Sequence, residues 1–273
     1  MNFSDIQYIF NRALALTFSR KKLLFIFCIL VLCGVMVIFF RALALQAGSW
    51  MLMSLTFLPI FLCSGLLLSA GIILTRIYHD EVKKRACSFR EVFAKTWEVA
   101  IGASYFSIPI ILCYLLLWML LGVFVLLTEI PIMGDFFGVI LAFGPFLINL
   151  GSLTLCFLNI ALLFLVTPII ALNSANRIRI TQLVVHKLNG DLFSTALLAL
   201  IALLPLLFIG GVLLLAAFLT GSLCYNCSNP VQTVLHWFFV MIPFTALLSP
   251  AVIFFFNFAA EAHVLTQRQV KPK

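Results

Sequence analysis

Long apolar runs alternate along this chain with short polar gaps. Alternate gaps are rich in charge, and those between them have almost none. Runs such as "LLFIFCILVLCGVMVIFF" (23–40) lack the period-two alternation over segments of about 10 residues that marks a membrane β-barrel strand. A helix needs roughly 20 apolar residues to cross the hydrocarbon core. On that length the pattern predicts six transmembrane helices, over about 23–40, 51–75, 101–127, 149–172, 192–220 and 231–256. The expected fold is all-α, a polytopic membrane protein forming one integral membrane domain over 1–273. Its six crossings pair as three hairpins, each preceded by a cytoplasmic amphipathic helix.

The amphipathic helices are read from the charged gaps. The stretch "RIYHDEVKKRACSFREVFAKTWEV" (76–99) holds 10 of the 26 formally charged side chains. Within it, Ser88-Phe89-Arg90-Glu91 has the form of a capping box, in which Ser and Glu satisfy amides at a helix start. Phe89, Val92, Phe93, Trp97 and Ala100 follow at helical spacing. Arg90, Glu91, Lys95 and Glu98 lie opposite, with Glu91 and Lys95 at a favourable i,i+4 separation. This predicts a helix in the membrane surface with Trp97 at headgroup depth. A second box, Ser4-Asp5-Ile6-Gln7, precedes Ile6, Ile9, Phe10, Ala13 and Thr17 on one face of a helix over 5–19. Ile180, Leu183 and Val184 outline a shorter third, stopped by Asn189-Gly190, with Asp191 as the cap of the next helix. Phe89, Phe93, Trp97, Ile9 and Phe10 are the candidate membrane-surface or partner contacts.

The even-numbered crossings also share a motif near one end: "LLSAGIIL" (67–74), "LVTPIIAL" (165–172) and "LLSPAVIF" (247–254). Ser69, Thr167 and Ser249 hold equivalent places, as in a threefold repeat. A helical Pro frees a carbonyl, and Ser or Thr can help satisfy the backbone. Aligning on these residues starts the fourth crossing near Asn149. That leaves 128–148, with Pro131, Gly134, Gly138, Gly144 and Pro145, as an outer insertion, either re-entrant or a loop with a surface helix.

The segments "SFREVFAKTWEV" and "TPIIALN…TQLVVHKLNGDLF" resemble bacterial six-helix proteins like the membrane domain associated with glycerophosphodiester phosphodiesterases. The resemblance implies the architecture above. The soluble phosphodiesterase domain has no counterpart here, so no activity or catalytic residue comes with it.

Composition agrees with lipid as the solvent. The chain is 64% hydrophobic and 10% charged, against about 45–50% and 25% for a soluble domain, and its mean hydropathy is +1.21. Four gaps or tails hold 16 of the 17 basic residues, and the other three gaps hold only Arg41. Cytoplasmic flanks carry the Lys and Arg excess, so both termini are expected in the cytoplasm of a bacterial inner membrane. The net charge of +8 is this asymmetry. It favours anionic lipid or another membrane protein as partner and requires no nucleic acid. The run after 20–22, with Ala42-Leu43-Ala44 beyond it, imitates a signal peptide, whose apolar core is normally 7–15 residues. Here that core is about 18 residues, and Arg41 sits beside the imitated site, so an uncleaved first helix is expected.

Candidate chemistry is sparse. Cys224 and Cys227, in "CYNC" on the expected outer side, form a possible disulfide or redox pair. Metal binding there with His236 or Asp135 is a weaker reading. Asn226-Cys227-Ser228 matches the glycosylation pattern. Glu129 and Asp135 read as solvated loop carboxylates. No Asp, Glu, Lys or Arg falls near the middle of a crossing, where coupled transporters usually keep one. The intramembrane polar candidates are Asn149, Ser152 and Asn159, with Ser152 and Asn159 on one face and suited to joining helices. Gly65 and Ser69 give a similar close-packing signal. No catalytic motif, cofactor site or metal site is evident. Three functions stand: a non-catalytic component organising lipid or a partner protein, a channel or transporter for an apolar or neutral solute, and a thiol-redox protein using Cys224 and Cys227.

Overall fold

The computed structural model describes residues 3–44, 49–84, 89–128, 130, 143–172, 192–220 and 230–270. Among these the regular elements are all helical. They are α1 (Phe3–Ala15), α2 (Arg20–Ala44), α3 (Ser49–Val82), α4 (Phe89–Ser104), a 3-10 turn (Tyr105–Ser107), α5 (Ile108–Thr128), α6 (Gly144–Leu172), α7 (Leu192–Leu219) and α8 (Pro230–Val270). Six spans, carried by α2, α3, α4–α5, α6, α7 and α8, are long and apolar enough to cross a membrane. The chain is an all-α, multi-pass membrane protein. A helix suits that solvent because each of its backbone groups is satisfied within the segment.

Several helix limits differ from the apolar runs. α3 continues past Thr75 to Val82 and α8 past Phe256 to Val270. Both continuations stay packed within the protein, with Ile77 and Tyr78 of α3 and Asn257, Phe258, Ala259, Ala262 and His263 of α8 buried, so the helices persist where the unbroken apolar run ends. α6 starts at Gly144 rather than Asn149, so 144–148 belong to the helix and not to the outer insertion. Pro145 falls in its first turn, where its missing N–H costs nothing. The third crossing is two helices joined by the 3-10 turn. Pro109 explains the break, since it offers no N–H and its ring collides with the carbonyl four residues earlier, at Tyr105. α1 begins at Phe3, ahead of the capping box read at Ser4. The segment around 180–184, residues 131–142 and the Cys224–Cys227 motif lie outside the described residues.

Two classes of helix make up the bundle. Between 44% and 56% of the membrane windows of α3, α6 and α8 is buried, against 11% to 17% for α2, α4–α5 and α7. The first three are the even-numbered crossings, and each packs on the other two. The outer helices sit over their seams: α2 against α8 and α3, α5 against α3 and α6, and α7 against α6 and α8. The core lies toward one end of the trio, where Leu68, Ile72 and Leu74 meet Phe164, Val166 and Ile169, and Ile253, Phe254, Phe256 and Phe258. That end also gathers Lys22, Glu81 and Glu261, and is termed the charged end below.

The three shared motifs sit in this core. Thr167 and Ser249 are buried, and all three hydroxyls donate to the carbonyl four residues earlier. Ser69 bonds Gly65 at 3.1 Å, Thr167 bonds Leu163, and Ser249 bonds Thr245 at 2.7 Å. In α6 and α8 this is one residue short of the carbonyl that Pro168 or Pro250 frees. The hydroxyls therefore satisfy themselves in lipid without repairing the Pro gap. Close approach of α3 to α8 depends on Gly71, where a Cβ would stand 2.3 Å from the Phe256 ring.

Candidate functional site at the charged end

α1 folds back on the bundle through a narrow apolar face. Ile9 and Ala13 are buried in the core, and the rings of Phe10 and Phe254 meet edge-on at 4.9 Å. The Ala13 carbonyl accepts from Thr17 Oγ1 at 2.8 Å and from Asn257 Nδ2 at 3.4 Å. Ile9 and Phe10, candidates for surface contact, thus face α8, while Tyr8, Leu14 and Phe18 are exposed.

Beside this seam a polar network joins α1, α2, α3 and α8. Arg12 Nε is 3.5 Å from Glu261 Oε1, and Tyr78 donates its hydroxyl hydrogen to the same oxygen at 2.8 Å. Lys22 is only 1% exposed. It pairs with Glu81, donates to the Leu16 carbonyl at 3.1 Å and lies 5.6 Å from the centre of the Tyr78 ring. A buried ammonium is tolerable only with such a set of partners, because desolvation costs several kcal/mol per ion. These groups satisfy one another, so the network orders the charged end rather than presenting a reactive group.

α4 is pinned along the neighbouring seam. Val92, Thr96 and Ala100 are buried, the apolar pair against Ile73 and Ile77 of α3. Ser69 Oγ shares its one hydrogen between the Gly65 carbonyl and the Ala100 carbonyl, the latter 3.0 Å away across the seam. Phe93 is half-buried, with its ring edge-on to Phe25 at 6.1 Å and 5.1 Å from the Trp97 ring. Trp97 itself is 48% exposed, and Ile101 and Tyr105 continue that exposed side. Phe89 opens the helix as read from the sequence, and its side chain lies outside the description, as does that of Lys95. The exposed cations Arg20 and Lys21 open α2, and Lys83 and Lys84 follow the end of α3.

The intramembrane candidates separate. Ser152 is buried and donates to the Ile148 carbonyl of its own helix at 2.9 Å. Asn149 is half-buried. Asn159 is buried and lines a cleft with Ser107 of the 3-10 turn. Sequence reasoning did not find Arg12, Lys22, Tyr78, Glu81, Asn257 and Glu261 as a cluster. The one available signal was Glu261, the only acid after Asp191. Among the described residues, no group of three or more His, Cys, Asp or Glu is placed to hold a metal. Comparison with family models, curated proteins and solved structures found no match to this chain.

Proposed function

We propose that this is a non-catalytic component of the bacterial cytoplasmic membrane that holds and orders anionic lipid at its charged end, with both termini in the cytoplasm. The observation that carries this reading is the exposed side of α4. Trp97 and Ile101, continued by Tyr105 of the 3-10 turn, are exposed on the outside of the bundle, on a helix whose other side is fixed by Val92, Thr96, Ala100 and the Ser69 hydrogen bond. Amphipathic aromatic rings favour headgroup depth. The exposed Arg20, Lys21, Lys83 and Lys84 supply attraction for anionic headgroups, about 1 kcal/mol per basic residue near the surface. Rigid presentation matters because the entropy of ordering the aromatic side is already spent in folding.

The test is lipid retention. Protein is extracted from mixed bilayers of anionic and zwitterionic phospholipid, and its bound lipid is counted by native mass spectrometry. The wild type is expected to retain anionic lipid selectively. Phe93→Ser with Trp97→Ser is expected to lose that selectivity while inserting normally. Equal retention by the variant would overturn the reading. A photoreactive residue at Trp97 that captured protein instead of lipid would favour a partner protein at the same surface.

A further inference from the structure

Two thiols meet on the seam between α2 and α3. Cys33 lies near the middle of the 25-residue α2, about 20 Å from its Arg20 end at 1.5 Å per residue. Cys63 faces it from α3, which packs against α2. The two are 7% and 6% exposed, and both are free. Cys63 Sγ donates to the Cys33 carbonyl at 3.6 Å across the seam. The thiols are also within hydrogen-bond range of each other. With the Cys63 hydrogen given to the carbonyl, the Cys33 hydrogen is the one that reaches the other sulfur. A buried cysteine ordinarily packs as a small hydrophobe. Two sulfurs in contact from different helices can do more, because each is the partner that a disulfide needs.

Depth limits what can react with the pair. The hydrocarbon core is about 30 Å thick, and its middle is closed to charged oxidants and to the thiols of soluble proteins. Hydrogen peroxide is small and uncharged, so it can enter. We infer that Cys33 and Cys63 are a peroxide-oxidisable pair that closes to a disulfide joining α2 to α3. One sulfur attacks peroxide and the O–O bond breaks. Its hydrogen leaves with the departing oxygen as water, and a sulfenic acid remains. The second sulfur then attacks the first, the S–O bond breaks and the S–S bond forms. The second thiol's hydrogen leaves with that oxygen as another water. Each sulfur has lost one hydrogen, and the peroxide is reduced. Burial slows the first attack, because the thiolate is the reactive form. The pair therefore answers sustained exposure and not a brief pulse. The inference is independent of lipid retention at the charged end.

The experiment uses the full chain in lipid nanodiscs, with only Cys33 and Cys63 kept of its 8 cysteines and the rest replaced by Ser. Hydrogen peroxide is applied for hours. Free thiols are then counted with a maleimide in denaturant, beside the intact mass. Both thiols are expected to disappear together, with the mass of two hydrogens lost, and both should return on reduction. A chain keeping Cys28, which is exposed, and Cys63 should form no internal link. Should the two-cysteine chain fail to fold, the wild type is oxidised and digested, and the peptide of Cys33 joined to that of Cys63 is sought by mass. Thiols still free after exposure, a gain of oxygen in place of the loss of hydrogen, or equal linkage of Cys28 to Cys63 would overturn the inference.

Discussion

Lys22 and Glu81 form one ion pair but stand in different surroundings. The Lys22 side chain is 1% exposed and that of Glu81 34% exposed. Removing either partner therefore has unequal consequences. In Lys22→Met the orphaned carboxylate turns to water, and the methionine fills the buried stem, so the cost is expected below about 1 kcal/mol. In Glu81→Leu the ammonium stays buried with the Leu16 carbonyl and the Tyr78 ring, and the cost is expected to approach the roughly 3–5 kcal/mol of an uncompensated buried charge. Thermal unfolding in detergent should rank Glu81→Leu well below Lys22→Met. The reverse order would show that the pair is held for another reason. Little of this was legible in the sequence. Lys22 reads there as one of three consecutive basic residues flanking a crossing, and Asn257 meets Ala13 across 244 positions. Nothing in local spacing reports contacts of that separation.

At the scale of elements, hydropathy locates what lipid covers, which is not the same as what is helical. The crossings were legible because each must bury about 20 apolar residues. The helix ends were not, since α3 and α8 continue on mixed polar and apolar residues that are held by packing within the protein, as at Tyr78 and Phe258. The break at 105–107 was visible in principle from Pro109, but apolarity continues across it and masks it. The seams between elements differ in tolerance. At Gly71 the obstacle to a Cβ is the buried ring of Phe256, whereas at Gly34 it is the flexible side chain of Met241, 2.0 Å away at its sulfur. Gly71→Ala is expected to destabilise by about 1–3 kcal/mol through overpacking. Gly34→Ala should cost clearly less, because a thioether can move aside. Denaturation of the two variants side by side checks this, and equal losses would mean that α2 and α3 approach α8 with the same rigidity.

At the scale of the molecule, three inner helices carry the core and three outer ones face lipid over their seams. The motif shared by 67–74, 165–172 and 247–254 was legible as a repeated string. In the structure Ser69, Thr167 and Ser249 each bond the carbonyl four residues back, Thr167 and Ser249 buried and Ser69 half-buried beside Ala100 of α4. The arrangement also explains why the outer helices tolerate large exposed side chains such as Met119, Phe208 and Phe218, since their neighbour there is hydrocarbon. Phe208→Leu is accordingly expected to change stability by under about 0.5 kcal/mol, while Phe256→Leu, in the trio, should cost more than 1 kcal/mol.

The central claim is that the charged end, with the exposed side of α4, is the cytoplasmic working face. Sidedness tests it directly, with single cysteines in a background lacking all 8 native cysteines. Lys84→Cys stands at the charged end and Ile130→Cys beyond the opposite end of α5. A membrane-impermeant thiol reagent applied to intact cells should label Ile130→Cys at once and Lys84→Cys only after permeabilisation. Labelling of Lys84→Cys in intact cells would place the charged end outside and contradict the account.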